Sequence, residues 1–474
     1  MDSKEAYEVA VAALTALVQE RGTDAVFPLD AIWQYATKDV PSKQRPGVQR
    51  PLLRNKYIEA TGGMATAESE RRAGSPTKEY RPGSMFMPPP EEANAPSGSI
   101  TLPSVSAALT ALVSAMDARG FIVLPEQVTN FYLALLSSPM VIMTGTSGTG
   151  KSWLPRIFAE LTGSRFSIVP VKPQWDDNCD MFGYTPPLQT TQFVQGAFTK
   201  AILAANENSA VPYIVLLDEM NLAAVEHYFS DFLSVIETRS RKNGTVVTDA
   251  LPLELPPAPS EGPDQFASLR TLSLPAHVRV VGTANMDETT RPFSPKVLDR
   301  AFSIEFEDVD LSAFPVGSTG QVDATQFSVL ASRLADTANP VNVTEAHSRN
   351  PEVCEEAAAY LETIRSILAP AGISFAYRTR DAVCYYMSNW QRDNLESVLP
   401  KDDALDYCIL QKVLPKIHGQ GQVLRDVLSA FGGWLRGEQV PDAEAGPGFP
   451  RSAAKLERML KRLDADGTTT YWGT

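Results

Sequence analysis

Residues 141–154 read VIMTGTSGTGKSWL, an apolar strand pattern followed by a glycine-rich turn and the start of a helix. Gly145, Gly150, Lys151 and Ser152 give this stretch the spacing G-x-x-x-x-G-K-S. Glycines at these positions let backbone N–H groups curl around phosphate oxygens at a helix N-terminus. At average residue frequencies, a chance match in a chain of this length has a probability of roughly 0.02. The stretch therefore predicts a phosphate-binding loop between a strand and a helix.

The last two residues of this loop have distinct predicted roles. Lys151 is expected to reach the β- and γ-phosphates of a nucleotide, and Ser152 to bind Mg²⁺. The residues predicted to hold the nucleotide are Gly145, Thr146, Ser147, Gly148, Thr149, Gly150, Lys151 and Ser152.

A second strand pattern, YIVLLDEMNLA at residues 213–223, ends in the acids Asp218 and Glu219. Carboxylates at the end of a parallel strand lie beside the phosphates in this kind of fold. Asp218 is predicted to hold the Mg²⁺ shell, and Glu219 to orient or deprotonate the attacking water. An apolar run followed by two acids is common by itself. Its occurrence in the same α/β unit as the loop makes the pair a predicted catalytic element.

A third strand pattern, VRVVGTAN, ends in Asn285, whose amide is predicted to hydrogen-bond the lytic water or the γ-phosphate. The following stretch, RPFSPKVLDRAFSIEF, contains Arg291 and Arg300. We favour Arg300, which follows an acid in an apolar setting, as an arginine that acts on a neighbouring subunit's nucleotide. A surface salt bridge is the alternative for either arginine.

Two further arginines, Arg378 and Arg380, precede an apolar helix pattern in the segment GISFAYRTRDAVCYYM. Arg378 is predicted to touch the phosphates from a helical lid, and a solvated helix start is the alternative. Arg239, Arg241 and Lys242 are candidates for a pore-lining loop, because they follow the helix after the two acids.

Composition excludes several other classes of protein. The net charge of −14 makes the whole chain a poor binder of polyanions, so any contact with nucleic acid has to be local. The four cysteines include no C-x-x-C pair, which argues against a zinc site and a disulfide scaffold. No apolar run approaches the roughly 18 residues of a membrane span, and no secretory signal is visible. We therefore expect a cytoplasmic protein with no membrane partner.

The pattern along the chain divides it into four segments. Residues 1–83 show three short helical patterns closed by a basic hairpin, the order typical of a winged helix-turn-helix domain. Residues 84–103 are rich in proline and predict an extended linker. Strands and helices alternate over residues 104–310, and helices dominate residues 311–474. The predicted fold class is α/β: a parallel sheet with a phosphate loop, a helical lid and C-terminal helices, preceded by a winged-helix-like domain.

The N-terminal segment has a charge opposite to that of the whole chain. Between Lys38 and Arg81, ten lysines and arginines stand against five acids. This asymmetry predicts contact with duplex DNA, and a charged surface for protein interactions is the alternative. The predicted DNA contacts are Arg45, Arg50, Arg54, Arg71, Arg72 and Lys78.

With these elements in place, the chain resembles AAA+ ATPases of the dynein-related branch, and among them the McrB motor subunits of methylation-dependent restriction systems. The resemblance rests on the segments LDEMNLAAVEHYFSDFLSVIE, GTANMDETTRPFSPKVLDRAF, QKVLPKIHG and SAAKLERMLKRL. It identifies residues 145–152 with Walker A, Asp218 and Glu219 with Walker B, and Asn285 with sensor 1. Arg300 falls near the family's arginine finger.

The resemblance also implies partners and a role. Family members form homo-oligomeric rings, typically hexamers, and McrB-type rings engage a separate McrC-like nuclease in anti-phage defence. Residues 285–288 read NMDE where McrB has Asn-Thr-Ala-Asp, a stretch linked to its use of GTP, so ATP is only slightly favoured over GTP. The alternatives are a MoxR-like chaperone ATPase that remodels a protein partner, and a slow regulatory switch.

Overall fold

The computed structural model describes residues 3–21, 27–36, 52, 58–66, 76–82, 103–286, 291–306, 312, 314, 324–440 and 445–472. The chain divides into two compact units, Met1–Thr101 and Leu102–Thr474. Within the described ranges, no helix is both long enough and apolar enough to cross a bilayer. The finer predicted boundaries at residues 83, 103 and 310 stay predictions.

The first unit contains helix α1 (Ser3–Arg21), a 3₁₀ helix (Leu29–Tyr35) and three strands, β1 (Phe27–Pro28), β2 (Ile58–Thr66) and β3 (Pro76–Pro82). The strands form an antiparallel sheet in the order β1-β3-β2. Apolar residues recur at helical spacing in α1, and the helix packs on the 3₁₀ helix and shares one small core with the sheet. Residues buried in this small core include Ala6, Ala10, Leu14, Leu17, Phe27, Ile32 and Tyr80.

These elements agree in part with the winged-helix prediction. The first two predicted helices are present, the second as a 3₁₀ helix, and the predicted hairpin corresponds to β2 and β3. The predicted third helix, at residues 48–57, lies outside the described residues except for position 52. The winged-helix assignment therefore stays a prediction.

The second unit is built on a five-stranded parallel sheet. Its strands and two short hairpins are β4 (Met140–Gly145), β5 (Arg165–Pro170), β6 (Gly183–Tyr184), β7 (Val194–Gln195), β8 (Tyr213–Asp218), β9 (Ser240–Lys242), β10 (Thr245–Val247), β11 (Val278–Asn285) and β12 (Phe302–Glu305). The sheet order is β12-β4-β11-β8-β5, and β6–β7 and β9–β10 pair as antiparallel hairpins. The inner strands are continuous apolar runs because helices cover both faces of the sheet. This confirms the predicted α/β class.

Helices flank the sheet and connect its parallel strands. They are α2 (Val105–Ala118), α3 (Pro125–Ser137), α4 (Trp153–Thr162), α5 (Cys179–Phe182), α6 (Ala197–Ala205), α7 (Val225–Tyr228), α8 (Ser230–Val235), α9 (Ala267–Arg270) and α10 (Pro295–Arg300). Two short 3₁₀ helices, Met220–Leu222 and Ile236–Thr238, follow β8 and α8.

The rest of the second unit is predominantly helical, as predicted. Among the described residues its helices are α11 (Ser328–Ala335), α12 (Val343–Arg349), α13 (Pro351–Leu368), α14 (Tyr377–Arg392), α15 (Lys401–Lys412), α16 (Gln422–Leu435) and α17 (Pro450–Asp466). Two short strands, β13 (His418–Gln420) and β14 (Thr468–Thr470), pair in antiparallel orientation although α16 and α17 separate them in the chain. Short 3₁₀ helices occur at Ala324–Phe327, Ala369–Ala371, Leu395–Ser397 and Leu414–Lys416.

The register of the sheet places the predicted site. Asn285 on β11 is aligned with Gly145 at the end of β4, and Gly282 with Leu217 on β8. We call the end of the sheet at Gly145, Asp218 and Asn285 the carboxyl edge. The opposite end, where β4 and β12 begin, is the amino edge. Ligands of such sheets bind beyond the carboxyl ends of the strands.

Candidate active site

The loop between β4 and α4 has the conformation that its glycines permit. Gly145 has φ +142°, and a Cβ there would lie 2.4 Å from the carbonyl oxygen of Phe306. Gly150 has φ +98°, and a Cβ there would lie 2.6 Å from the ring of Phe121. Side chains are disfavoured at both positions by backbone conformation and by space. The glycine spacing is thus a structural requirement of this loop.

Lys151 lies inside the loop, with 6% of its surface exposed. Its ammonium donates to the carbonyl of Gly145 at 2.8 Å and to that of Thr146. Burial lowers the pKa of Lys151, while the carboxylates of Glu219 and Asp218 act in the opposite direction. The loop, the lysine and both acids of β8 are therefore brought together, as the motifs predict.

Asp218 is the centre of a hydrogen-bond network at the carboxyl edge. Its Oδ1 accepts from the Ser152 hydroxyl at 2.7 Å and from the Thr283 hydroxyl at 2.8 Å. Ser152 and Asp218 thus present a hydroxyl and a carboxylate side by side, and oxygen ligands of this kind are those that Mg²⁺ prefers. The Ser152 hydroxyl and the Asp218 carboxylate therefore fit a Mg²⁺ site of the predicted kind.

Glu219 has an unusual backbone conformation, with φ 53° and ψ 49°. A non-glycine residue in the left-handed region costs on the order of 1 kcal/mol, and such strain is concentrated at functional sites. Two contacts hold it: its N–H donates to the Thr283 hydroxyl at 3.0 Å, and its Oε1 accepts from the Asn285 amide at 3.2 Å. The predicted base and the predicted sensor amide are therefore in direct contact.

Sequence reasoning missed Thr283 and Asn221, which complete this network. The Asn221 amide donates to the Asn285 carbonyl at 2.8 Å, and the Asn221 carbonyl accepts from the N–H of Arg291 at 3.1 Å. The signal for Thr283 was a hydroxyl two residues before Asn285 in the strand pattern VRVVGTAN, and so on the same face as Asn285.

Beside the loop lies a cavity of about 680 Å³ that was not predicted. Phe121 and Phe306 stack within it, with ring centroids 6.5 Å apart. Trp153 is 57% exposed at its rim. The other lining residues are Arg119, Gly120, Ile122, Val123, Leu124, Gln127, Gly148, Thr149 and Gly150. Aromatic and aliphatic walls next to a phosphate loop suit the flat base of a nucleotide. Its signal in the sequence was the apolar run GFIVLP at residues 120–125.

Arg300 lies at the other end of the sheet. It is the last residue of α10, just before β12, whose Phe302 is aligned with Val141 near the start of β4. Its guanidinium donates to the Lys296 carbonyl at 2.7 Å and pairs with Glu237 at 2.8 Å. Arg300 therefore lies away from the phosphate loop of the same chain.

The structure corrects the prediction that Arg378 reaches, from the lid, the phosphates bound by the loop of the same chain. Arg378, in the first turn of α14, pairs with the same Glu237 carboxylate as Arg300 and lies 4.0 Å from Asp299. The fold packs α14 at the amino edge, so Arg378 is remote from residues 145–152. Arg380 pairs with Asp381 and lies over the Tyr377 ring.

Of the three pore-lining candidates, Arg241 is held by contacts within the chain, and the assignments of Arg239 and Lys242 stay predictions. Arg241, on the β9–β10 hairpin, forms an ion pair with Glu345 at 3.1 Å and donates to the carbonyls of Thr337 and Asn339. This anchoring to the helical region argues against a free pore loop. Among the predicted DNA contacts, Lys78 lies on β3, opposite Met64 of β2. Outside the described residues lie Arg45, Arg50, Arg54, Arg71 and Arg72.

Comparison with known families agrees with this geometry. Residues 140–302 match the AAA domain (dynein-related subfamily). Residues 332–468 match a domain of unknown function (DUF8727). None of the curated proteins matches the chain in sequence.

One similar solved structure is that of a candidate ATPase from Cytophaga hutchinsonii ATCC 33406, which is 14% identical to this chain. The likeness covers 65% of this chain and 88% of that one, with a TM-score of 0.35. The family match covers the phosphate loop, both acids of β8 and the strand that ends in Asn285. Residues 140–302 are therefore similar to the AAA domain of the dynein-related subfamily.

Proposed function

We propose that this chain hydrolyses a nucleoside triphosphate as the motor subunit of a McrBC-like DNA restriction system, driving a separate McrC-like nuclease. The observation that carries the hydrolytic part is the network in which Ser152, Asp218, Thr283, Glu219 and Asn285 are hydrogen-bonded at the carboxyl edge.

In this mechanism the base of the nucleotide occupies the cavity beside Phe121 and Trp153. The backbone N–H groups of residues 145–152 and the Lys151 ammonium bind the phosphates. Ser152 and Asp218 would hold Mg²⁺, which supplies charge neutralisation on the phosphate oxygens. Glu219 orients the attacking water and accepts its proton, and Asn285 fixes the Glu219 carboxylate.

Arg300 has a role only if two subunits meet. Because it lies at the amino edge, it supplies positive charge to a phosphate bound by a neighbouring subunit. Arg378, which shares the Glu237 carboxylate, would act from the same side. The proposal therefore requires a homo-oligomeric ring, a hexamer by family resemblance, with each nucleotide at an interface.

The restriction role is supported by the segments QKVLPKIHG and SAAKLERMLKRL, which resemble McrB-like proteins, and by the basic stretch at residues 38–81. In this proposal the first unit binds duplex DNA, and Lys78 on β3 is one of its contacts. A MoxR-like chaperone ATPase is equally compatible with the AAA match and differs in its partner, which would be a protein.

The test is steady-state hydrolysis of ATP and of GTP, with and without duplex DNA, with Glu219→Gln as the blank. We expect turnover several-fold higher with DNA, and the better substrate identifies the nucleotide. A variant with Arg45, Arg50 and Arg54 changed to Ala should lose this stimulation and retain basal turnover. Hydrolysis indifferent to DNA would reject the restriction role in favour of the chaperone role. Turnover in the Glu219→Gln blank equal to that of the wild type would reject the proposed catalytic site.

A further inference from the structure

The short helix that ends in Arg300 is held at its last turn by a lysine from the C-terminal region. Lys412, the last residue of α15, is 2% exposed. Its ammonium donates to the carbonyls of Leu298 at 3.3 Å, Asp299 at 3.0 Å and Ala301 at 2.7 Å. An ammonium has three N–H donors, so three carbonyls satisfy it completely.

These carbonyls would otherwise lack intrahelical partners. The last carbonyls of a helix have no N–H of their own helix to accept from, and α10 has only six residues. A cation at the C-terminal end of a helix also interacts favourably with the helix dipole. Lys412 therefore fixes the backbone on both sides of Arg300.

Neighbouring contacts restrict the same segment. Lys416 forms an ion pair with the Asp299 carboxylate, and Lys412 lies over the Phe302 ring, 5.3 Å from its centroid. On the other side, the Glu237 carboxylate pairs with the guanidinium groups of both Arg300 and Arg378. The Arg300 Nε is buried and has no hydrogen-bond partner among the described residues. The backbone of Arg300 is thus fixed, while its guanidinium retains an unused donor.

We infer that Lys412 is a positioning residue for Arg300, by which the C-terminal helical region controls hydrolysis at the neighbouring subunit. This inference rests on the proposed trans-acting role of Arg300. It assigns a task to the segment that matches the domain of unknown function, since both Lys412 and Lys416 lie within residues 332–468. No contact between Lys412 and the nucleotide is required.

A purely structural lysine would affect the subunit in which it lies. Removal of a positioning residue has a different signature, because the defective arginine serves the next subunit's phosphates. A Lys412→Met subunit retains its own loop, Glu219 and Asn285, so its site should work whenever a neighbour supplies a well-placed Arg300.

The experiment measures nucleotide affinity, turnover and thermal unfolding for Lys412→Met, Arg300→Ala and the control Lys401→Met in the full chain. Lys401 begins the same helix and pairs with Glu356, away from α10. We expect Lys412→Met to lower kcat about tenfold or more, as loss of a charged hydrogen-bond donor implies, with nucleotide affinity unchanged. Lys401→Met should behave as the wild type.

Mixing then separates the two roles. Lys151→Ala subunits cannot hydrolyse nucleotide, but they carry an intact Arg300. Added to Lys412→Met subunits, they should restore turnover, as they should with Arg300→Ala subunits. If Arg300→Ala alone has wild-type turnover, the trans-acting arginine itself is rejected. The positioning role is overturned if mixing restores the turnover of Arg300→Ala but not that of folded Lys412→Met. It is also overturned if Lys412→Met alone has the turnover of the wild type.

A second variant keeps the inference testable if Lys412→Met does not fold. Lys416 lies nearer the surface than Lys412, and Lys416→Gln removes its ion pair with Asp299. We expect a smaller fall in kcat that mixing with Lys151→Ala subunits again recovers. Wild-type turnover in this variant, or a fall that mixing does not recover, would contradict the inference.

Discussion

The two ends of the central sheet both bring charged side chains together, but they do so in different ways. At the carboxyl edge, each functional side chain is carried by a strand end or by the loop that follows it, and Lys151 lies beside the carboxylates of Asp218 and Glu219. At the amino edge, Arg300 is held by Glu237, and the nearby Lys412 donates only to carbonyls.

This difference indicates a division of labour. The carboxyl edge brings together the residues to which we assign phosphate binding and activation of the water. The amino edge contains cations whose present partners are Glu237, Asp299 and backbone carbonyls. In our proposal these guanidinium groups, which are remote from the phosphate loop, act on a neighbouring subunit.

The largest expected effect is at the amino edge. Arg300→Ala should lower kcat on the order of 10⁴-fold in the assembled form, the range known for arginines that act in trans on phosphoryl transfer. Nucleotide affinity should change little, because Arg300 lies away from its own loop. Single-turnover hydrolysis at saturating nucleotide measures this effect. The same fall in a dilute, monomeric sample would mean that Arg300 acts within its own subunit.

At the carboxyl edge, Glu219→Gln should retain nucleotide binding and lower kcat by about 10³-fold, since an amide cannot accept the proton of the attacking water. Binding is measured by titration with a fluorescent nucleotide, and turnover by phosphate release. In contrast to Arg300→Ala, this variant should not recover when mixed with Lys151→Ala subunits, because its own site is the defective one. Recovery in that mixture would refute this contrast.

Thr283→Val tests the hydrogen-bond network without removing a charge. Its hydroxyl donates to Asp218 and accepts from the Glu219 N–H, so its loss should lower kcat about tenfold. Thr283→Ser should remain close to the wild type, because the hydroxyl is retained. Thr199→Val, which removes a buried hydroxyl bonded to the Phe182 carbonyl away from the site, is the matched control. Equal turnover in Thr283→Val and Thr199→Val would exclude a role for Thr283.

The smallest effect concerns the buried Lys412. Burial and the nearby Lys416 lower the pKa of Lys412 to about 7, with Asp299 and Cys408 acting in the opposite direction. The unfolded chain retains the ordinary, higher pKa, so above pH 7 it binds more protons than the folded chain. The free energy of unfolding of the wild type should therefore rise relative to that of Lys412→Met, by about 1 kcal/mol between pH 7 and pH 8. Urea denaturation followed by tryptophan fluorescence at the two pH values measures the difference, and a constant difference would show that Lys412 stays charged.

Much of the carboxyl edge was predictable because its groups are encoded in short segments. The glycine spacing, the two acids and Asn285 each follow a strand pattern, and parallel strands end at a common edge. Thr283 and Asn221 were missed because a single hydroxyl or amide has no motif around it. The cavity at Phe121 was missed because its walls come from residues 119–127, 148–153 and 306.

The amino edge was less predictable. Arg300 was favoured because it follows an acid in an apolar setting, but its partner Glu237 was not predicted. Arg378 was predicted to face the phosphates because it precedes an apolar helix, whereas packing of that helix placed it beside Arg300. Lys412 lies in the segment QKVLPKIHG, in which no individual residue role was predicted, and only the structure shows that it is buried against α10.

The amino-acid sequence by itself determined the phosphate loop, the acids that follow β8 and the alternation of strands and helices. These depend on backbone geometry and on local spacing, which operate over a few residues. Only the tertiary structure decided the partners of Arg300, Arg378 and Lys412. The carbonyls bound by Lys412, and the Glu237 partner of Arg378, lie more than 100 positions away in the chain. Contacts over such separations depend on how helices pack on the sheet, and that packing is an outcome of the whole core.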